Sequence, residues 1–299
     1  MSTTTTEQPL VSICMPTYNG ARYVEEALRS AFAQTYPAME LVVSDDASTD
    51  DTLAIVERLR TGAPMPVRVV RHSPEGIGAN WNNCVAHAQG AYIKFLFQDD
   101  LLAPDCVARM VAMARSAADV SLVYCRRRIL HDPADAEAAG WVKRYGELHR
   151  SWCDVNVVEG VMPGRTLLRD RAFLEQPRNK IGEPTAVLLD RRVFQREGPF
   201  DTTLDQALDY AYWYKVLRHG QVGFVDEALV TFRLHPAQAT QRNAGARTQA
   251  DLDRLPAYYL RHLWPYLHPR VLRRLLAGHT ALGRALARLL HRARTVLRA

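Results

Sequence analysis

Between Val11 and Cys125 the chain switches repeatedly between short apolar runs of strand character and segments of helical period, an order that few folds accept. Val11-Ser12-Ile13-Cys14-Met15 reads as a strand, stopped by Pro16 and the turn residues Asn19-Gly20. From Ala21 to Gln34 apolar side chains return at Val24, Ala27, Leu28, Ala31 and Phe32, the spacing of one helix face. Leu41-Val42-Val43 and Val67-Arg68-Val69-Val70 predict further strands, Thr52 to Leu59 and Gly78 to Gln89 further helices, and Ala91 to Phe97 a fourth strand. A helix over Asp105 to Ala114 and a strand over Val120 to Cys125 complete the series. Repeated β-α units build a mainly parallel sheet covered by helices on both faces, so the expected class is α/β.

In such sheets ligands sit beyond the carboxyl ends of the strands. Asn19, the pair Asp45-Asp46 and the triplet Gln98-Asp99-Asp100 all fall at those ends. Adjacent carboxylates where a buried strand runs out can hold a hard divalent cation, which in turn can hold a diphosphate. Plainer roles stay open for each: Asp45 and Asp50 as helix N-caps, Asn19-Gly20 as a turn.

The second half is less regular. Residues 130 to 180 lose a clear period and collect Pro133, Pro163, Gly164 and Pro177, which reads as a long excursion, either a lid or acceptor surface or a solvated insertion. Order returns at Thr185 to Leu189 and Val193-Phe194, followed by a helical pattern from Leu204 to Arg218. Strand-like Val222 to Val225 and Leu229 to Phe232 then lead to Arg233-Leu234-His235-Pro236.

Charge divides the chain unevenly. All 32 acidic residues lie at or before Asp253, whereas Arg254 and the nine arginines after it face no acid. The net charge of +6 is therefore −4 (28 − 32) for residues 1–253 and +10 for the remainder. No run approaches the roughly 18 to 20 apolar residues of a membrane span, and Met1 to Gln8 lacks the apolar core of a secretory signal, so a cytoplasmic location is expected. Cys14, Cys84, Cys106, Cys125 and Cys153 form no Cys-x-x-Cys pair, which predicts reduced structural thiols and no zinc site.

Three segments carry a resemblance. Val11 to Asn19, Leu41 to Thr52 and Gly90 to Asp100 resemble the family 2 inverting glycosyltransferases of GT-A fold. Ile181 to Thr185, Gly198-Pro199-Phe200-Asp201, Asp209 to Leu217 and Arg233-Leu234-His235 look like the acceptor side of the same pattern. The resemblance covers roughly residues 10 to 240 and implies a disordered 1–9 and a GT-A domain over 10–240. That domain divides into a nucleotide-binding half (10–125) and an acceptor half (126–240), followed by a helical basic tail over 241–299.

By the same resemblance Pro16 and Tyr18 border the nucleobase, Asp46 accepts a hydrogen bond from a uracil or thymine imide, and Asn80 and Asn82 lie near the nucleotide. A carboxylate at position 46 is expected to favour a UDP- or dTDP-sugar over guanine or adenine nucleotides. Gln98-Asp99-Asp100 stands where the Asp-x-Asp metal motif falls, with Gln98 in place of the first acid. Asp99 is cast as a ribose or metal contact, Asp100 as the ligand of Mg²⁺ or Mn²⁺, and His235 as the residue completing the coordination, tilting it toward Mn²⁺.

The base of the family belongs to a Glu-Asp pair opening a helix, here Leu208-Asp209. Asp209 is the expected base. Asp205 is its rival, sharing the face if the helix starts early enough, while Glu183 is expected to orient sugar or acceptor and Trp213 to stack on a sugar or sit in the core.

Past Arg270, Val271, Leu272, Leu275, Leu276, Leu282, Leu286, Leu289 and Leu290 alternate with arginines, a basic amphipathic pattern. It suits an anionic membrane surface near a lipid-linked acceptor, packing on the catalytic domain, or a second subunit; nucleic acid fits poorly without interleaved aromatics. The reading is a hexosyltransferase-type enzyme moving sugar to a glycan, lipid-linked or small-molecule hydroxyl. A non-catalytic nucleotide-sugar binder or membrane scaffold is the alternative that Gln98 and Leu208 favour, and a nucleotidyltransferase is disfavoured because no Gly-rich basic loop follows the first strand.

Overall fold

The computed structural model describes residues 8–235, 238 and 246–279. Strands β1 (Val11–Thr17), β2 (Met39–Asp45), β3 (Val67–Arg71) and β4 (Tyr92–Phe95) run parallel in the order β3-β2-β1-β4. Then follow β5 (Leu101–Leu102), β6 (Val120–Leu130), β7 (Gly160–Pro163), β8 (Val187–Asp190) and β9 (Gln221–Arg233). They extend the sheet as β4-β8-β6-β9-β5, with β7 on β9. β8 is antiparallel to both neighbours, so the sheet is mixed but mainly parallel on the side that carries the first three strand ends.

The helices are α1 (Val24–Phe32), α2 (Thr52–Arg60), α3 (Ile77–His87), α4 (Cys106–Arg115), α5 (Ala136–Tyr145), α6 (Gly164–Leu168), α7 (Arg192–Glu197), α8 (Leu208–Val216), α9 (Ala246–His262) and α10 (Pro269–His279). The period-two alternation of the strands sorts them to two cores. Val11, Ile13 and Met15 of β1 point with α1 and α4 into one, and Cys14 points with Val42, α3 and α8 into the other.

Several elements depart from the sequence expectation. The helical pattern from Leu204 begins only at Leu208, and the carboxylate of Asp251 on α9 accepts the backbone N–H groups of Asp205, Gln206 and Ala207, anchoring the turn just before it. Asp205 therefore precedes α8. The two expected strands after Gln221 are one strand, β9, whose register against β6 shifts opposite Arg126. The 130–180 excursion contains α5, capped by Asp135 through Glu137 and Ala138 N–H, together with β7 and α6.

The start of the basic tail is built into the same core. Leu255 and Tyr259 of α9, Leu263 just after it, and Val271 and Leu275 of α10 are buried with α8 and Phe173. At about 1.5–3 kcal/mol for each buried side chain, detaching both helices would cost on the order of 10 kcal/mol, comparable with a whole domain's stability. Val271 and Leu275 thus pack on the catalytic core, not in a bilayer, while Leu282, Leu286, Leu289 and Leu290 lie outside the described residues. No described helix is long and apolar enough to cross a membrane.

Candidate active site

A cleft of about 430 Å³ opens at the carboxyl ends of β1, β2 and β4 and is closed from the other side by the start of α8. Its floor at one end is made by Pro16, Tyr18, Asp46 and Asn80. The loops after β1 and β2 are laced together: Asn19 N–H donates to Ser48 Oγ (2.9 Å), and Thr49 N–H donates to Asn19 Oδ1 (2.8 Å). Asn19 and Ala47 both take left-handed backbone, at φ 48° and 58°. Asn tolerates that region, whereas Ala47 is strained, at a cost of order 1 kcal/mol, and is held because Asp45 binds the N–H and hydroxyl of Ser48. Asp45 thus ties the loop and caps no helix.

Asp46 offers this end a nearly buried carboxylate whose Oδ1 accepts no hydrogen bond. Burial raises its pKa, partly offset by His72, whose Nε2 stands 3.4 Å from Oδ1 and 3.1 Å from Asn80 Oδ1. Asn80 Nδ2 in turn donates to Thr17 O (3.2 Å). Asn82 is not part of the cleft wall; its amide exchanges two hydrogen bonds with the Phe200 backbone (3.0 and 2.9 Å).

Midway along the cleft the acid pair splits by role. Asp99 lines it and meets His235 Nε2 at 3.0 Å, with His235 Nδ1 buried and unpartnered. Asp100 lies behind, 1% exposed, accepting from the Thr185 hydroxyl (2.6 Å) and Arg233 N–H (3.1 Å). Burial and then the charge of Asp99 push its pKa well above the ordinary range. The geometry thus differs from the expectation that Asp100 carries the metal: its oxygens are spent inside the protein, and the donors facing the cleft are Asp99 and His235. One carboxylate and one imidazole, close enough to share a cation, fit a divalent ion of borderline character such as Mn²⁺. Among the described residues Cys153, Asp154 and Asp170 also cluster, but Asp170 accepts the Cys153, Asp154 and Ala172 N–H groups and Asp154 pairs with Arg171, which leaves no free donor set.

At the far end stands Asp209, near the start of α8. Its Oδ2 accepts from Asn179 Nδ2 (3.0 Å), while Oδ1 is buried without a partner at the cleft wall. Burial pushes its pKa up to about 8, with the nearby Glu183 charge adding to the rise and the Tyr210 N–H and Asn179 amide opposing it. Glu183 also lines the cleft and is held by Arg127 at 2.7 Å, on a side chain only 4% exposed. Leu208, where an acid was expected, seats its Cδ1 so close to Gly78 that a Cβ there would lie 3.2 Å away. Its neighbourhood is apolar packing between α3 and α8. Asp205 lines the cleft mouth with Arg247 of α9 4.0 Å away, and its place outside α8 removes the shared helix face with Asp209. Trp213 is fully buried, donates Nε1–H to Gly182 O (3.0 Å) and does not reach the cleft.

The model of glycosyl transferase family 2 matches residues 12–176, more than half of the 299-residue chain. The chain belongs to glycosyl transferase family 2. An uncharacterized protein of Mycobacterium tuberculosis is 32% identical over 252 residues, covering 83% of this chain and 74% of the relative. Among solved structures, S. aureus TarS in complex with UDP shares the fold at TM-score 0.63 and 19% identity, over 91% of this chain and 70% of that one. The mannosyltransferase PcManGT from Pyrobaculum calidifontis, in complex with GDP-Man and Mn²⁺, does so at TM-score 0.61 and 22% identity, over 98% and 81%. This chain is thus a glycosyltransferase of GT-A-like fold.

In this family 2 glycosyltransferase the fold brings Pro16, Tyr18, Asp46, Asn80, Asp99, Glu183, Asp205, Asp209 and His235 to one cleft and leaves Asn82, Asp100 and Trp213 outside its wall. Four contributors carried no sequence signal of their own. His72, Asn179 and Arg127 act through long-range partners, and Arg247 comes from a helix assigned to the tail.

Proposed function

We propose that the chain is an inverting transferase that moves a sugar from a uridine or thymidine diphosphate donor to an acceptor hydroxyl, with Asp209 as the base. The observation that carries this reading is the free, buried Oδ1 of Asp209 on the wall of the cleft that also holds Asp46 and Asp99. Asp46 Oδ1 lacks a hydrogen, so it suits a ligand edge that donates one, such as the imide of uracil or thymine. Guanine carries a donor at N1 and adenine and cytosine carry amino donors, so hydrogen bonding to Asp46 does not by itself exclude them. The preference for uracil or thymine rests on the resemblance of Asp46 to the family's imide-binding acid. Asp99 and His235 would hold a divalent ion such as Mn²⁺, which would supply positive charge against the departing diphosphate.

Asp209 takes the acceptor proton onto Oδ1 as the acceptor oxygen attacks the anomeric carbon. Its raised pKa makes it a stronger base than an exposed carboxylate, and Asn179 fixes its orientation through Oδ2. Glu183, held by Arg127, orients the sugar or acceptor at the same end. Glycan, lipid-linked and small-molecule hydroxyls all fit this chemistry. The test is Asp209→Asn assayed with UDP- and dTDP-sugars. Transfer should fall by about 10²- to 10⁴-fold while UDP affinity stays within about twofold. Residual turnover near wild type would move the base to Asp205 or Glu183.

A further inference from the structure

Gln98, which the family resemblance sets in place of the first metal-motif acid, lines the cleft, yet both polar atoms of its amide are taken by Tyr18. Its Oε1 accepts the Tyr18 N–H at 2.9 Å and its Nε2 donates to Tyr18 O at 3.1 Å. The amide therefore mimics a strand residue. β1 and β4 pair as far as Cys14 and Phe95, and Leu96 N–H still reaches Cys14 O. Pro16 then has no N–H to give, and the two chains part. Gln98 restores the link two residues later.

The loop is shaped around this amide. A Cβ on Gly20 would lie 2.2 Å from Gln98 Oε1, so only glycine lets the loop close over it. On its other side the loop is tied by Gly20 N–H to Thr52 Oγ1 (2.8 Å) and Ala21 N–H to Asp50 Oδ2 (3.0 Å). Pro16, Tyr18 and Gly20 all line the cleft.

We infer that Gln98 is a positioning residue for the donor site, an amide clamp that fixes the first loop, and not a weakened metal ligand. The inference rests on the donor-site reading above. A carboxylate at position 98 could accept from Tyr18 N–H but could not donate to Tyr18 O, and it would add a negative charge beside Asp99. Replacing Gln98 by the family's acid should accordingly weaken the site.

The experiment uses the full chain and three variants: Gln98→Glu, Gln98→Asp and Gly20→Ala. Gly20→Ala attacks the clamp from the opposite side by displacing the amide. Hydrogen exchange of the Tyr18 amide, without ligand, should quicken by about tenfold in Gln98→Asp, whose shorter side chain falls short of Tyr18, and in Gly20→Ala. UDP binding, measured by calorimetry across a Mn²⁺ titration, should weaken by about five- to tenfold in all three, with the Mn²⁺ midpoint unchanged in Gly20→Ala, which adds no charge. Unchanged Tyr18 exchange in both clamp variants would overturn the inference, as would tighter UDP binding in Gln98→Asp. Failure of the wild type to bind UDP would instead count against the donor reading, and the exchange measurement would still decide the clamp.

Discussion

At the scale of single residues, the cleft is defined by carboxylate oxygens that the fold leaves without partners. Asp209 has the larger consequence, because burial pushes its pKa up to about 8. Only the ionised form accepts a proton, so kcat/KM should rise with pH through about 8 and level off above it. A limb near pH 4 would mean that Asp209 is not the base. The same shift has a stability sign. A carboxyl whose folded value is raised contributes stability that is fully present below the ordinary carboxylate range and is lost as pH climbs through about 8. Asp209→Asn should therefore be more stable than wild type at pH 9 and show a flatter dependence of Tm on pH between 5 and 9. Asp46→Ala should lower UDP affinity by about tenfold with little change in kcat, read by calorimetry and steady-state kinetics. Asp46 stood out in the sequence within an intact segment, and Asp209 because its motif keeps the second acid although Leu208 replaces the first. Asp100 was expected to hold the metal, and a sequence shows two adjacent acids but not that Thr185 and Arg233, far along the chain, hydrogen-bond one of them.

At the scale of elements, local period located the strands and helices of the first 125 residues to within a few positions, since each buries a regular apolar face. The start of α8 was not legible. Leu204 and Ala207 continue the apolar pattern, and the turn before the helix is anchored by Asp251, distant in sequence on α9. That anchor makes a prediction of its own. Asp251→Ala leaves the N–H groups of Asp205, Gln206 and Ala207 without their acceptor and should cost about 1–3 kcal/mol of stability by chemical denaturation. It should also lower kcat more than it raises the donor KM, because it loosens the segment that leads to Asp209. A stable variant with unchanged kcat would remove α9 from the account of the base. β9 was read as two strands because Asp226 and Glu227 interrupt its apolar run at the register shift, where the side chains face outward.

At the scale of the whole molecule, the sequence left the basic tail open to a membrane surface, the catalytic domain or a second subunit, and its first part packs on the catalytic domain. Charge counts describe a surface, whereas Leu255, Tyr259, Leu263, Val271 and Leu275 belong to the core that supports α8. A chain ending at residue 245 should be insoluble or unfolded by circular dichroism, and a folded, active truncation would contradict that packing. The largest claim joins all three scales: one cleft reads the nucleobase at Asp46, holds the metal at Asp99 and His235, and activates the acceptor at Asp209. A crystal of the full chain grown with UDP and Mn²⁺ tests it most directly. The account predicts the uracil imide against Asp46 Oδ1 and the ion in contact with Asp99 and His235, with the Asp209 end left open. A nucleotide bound elsewhere, or a metal held away from Asp99 and His235, would contradict it.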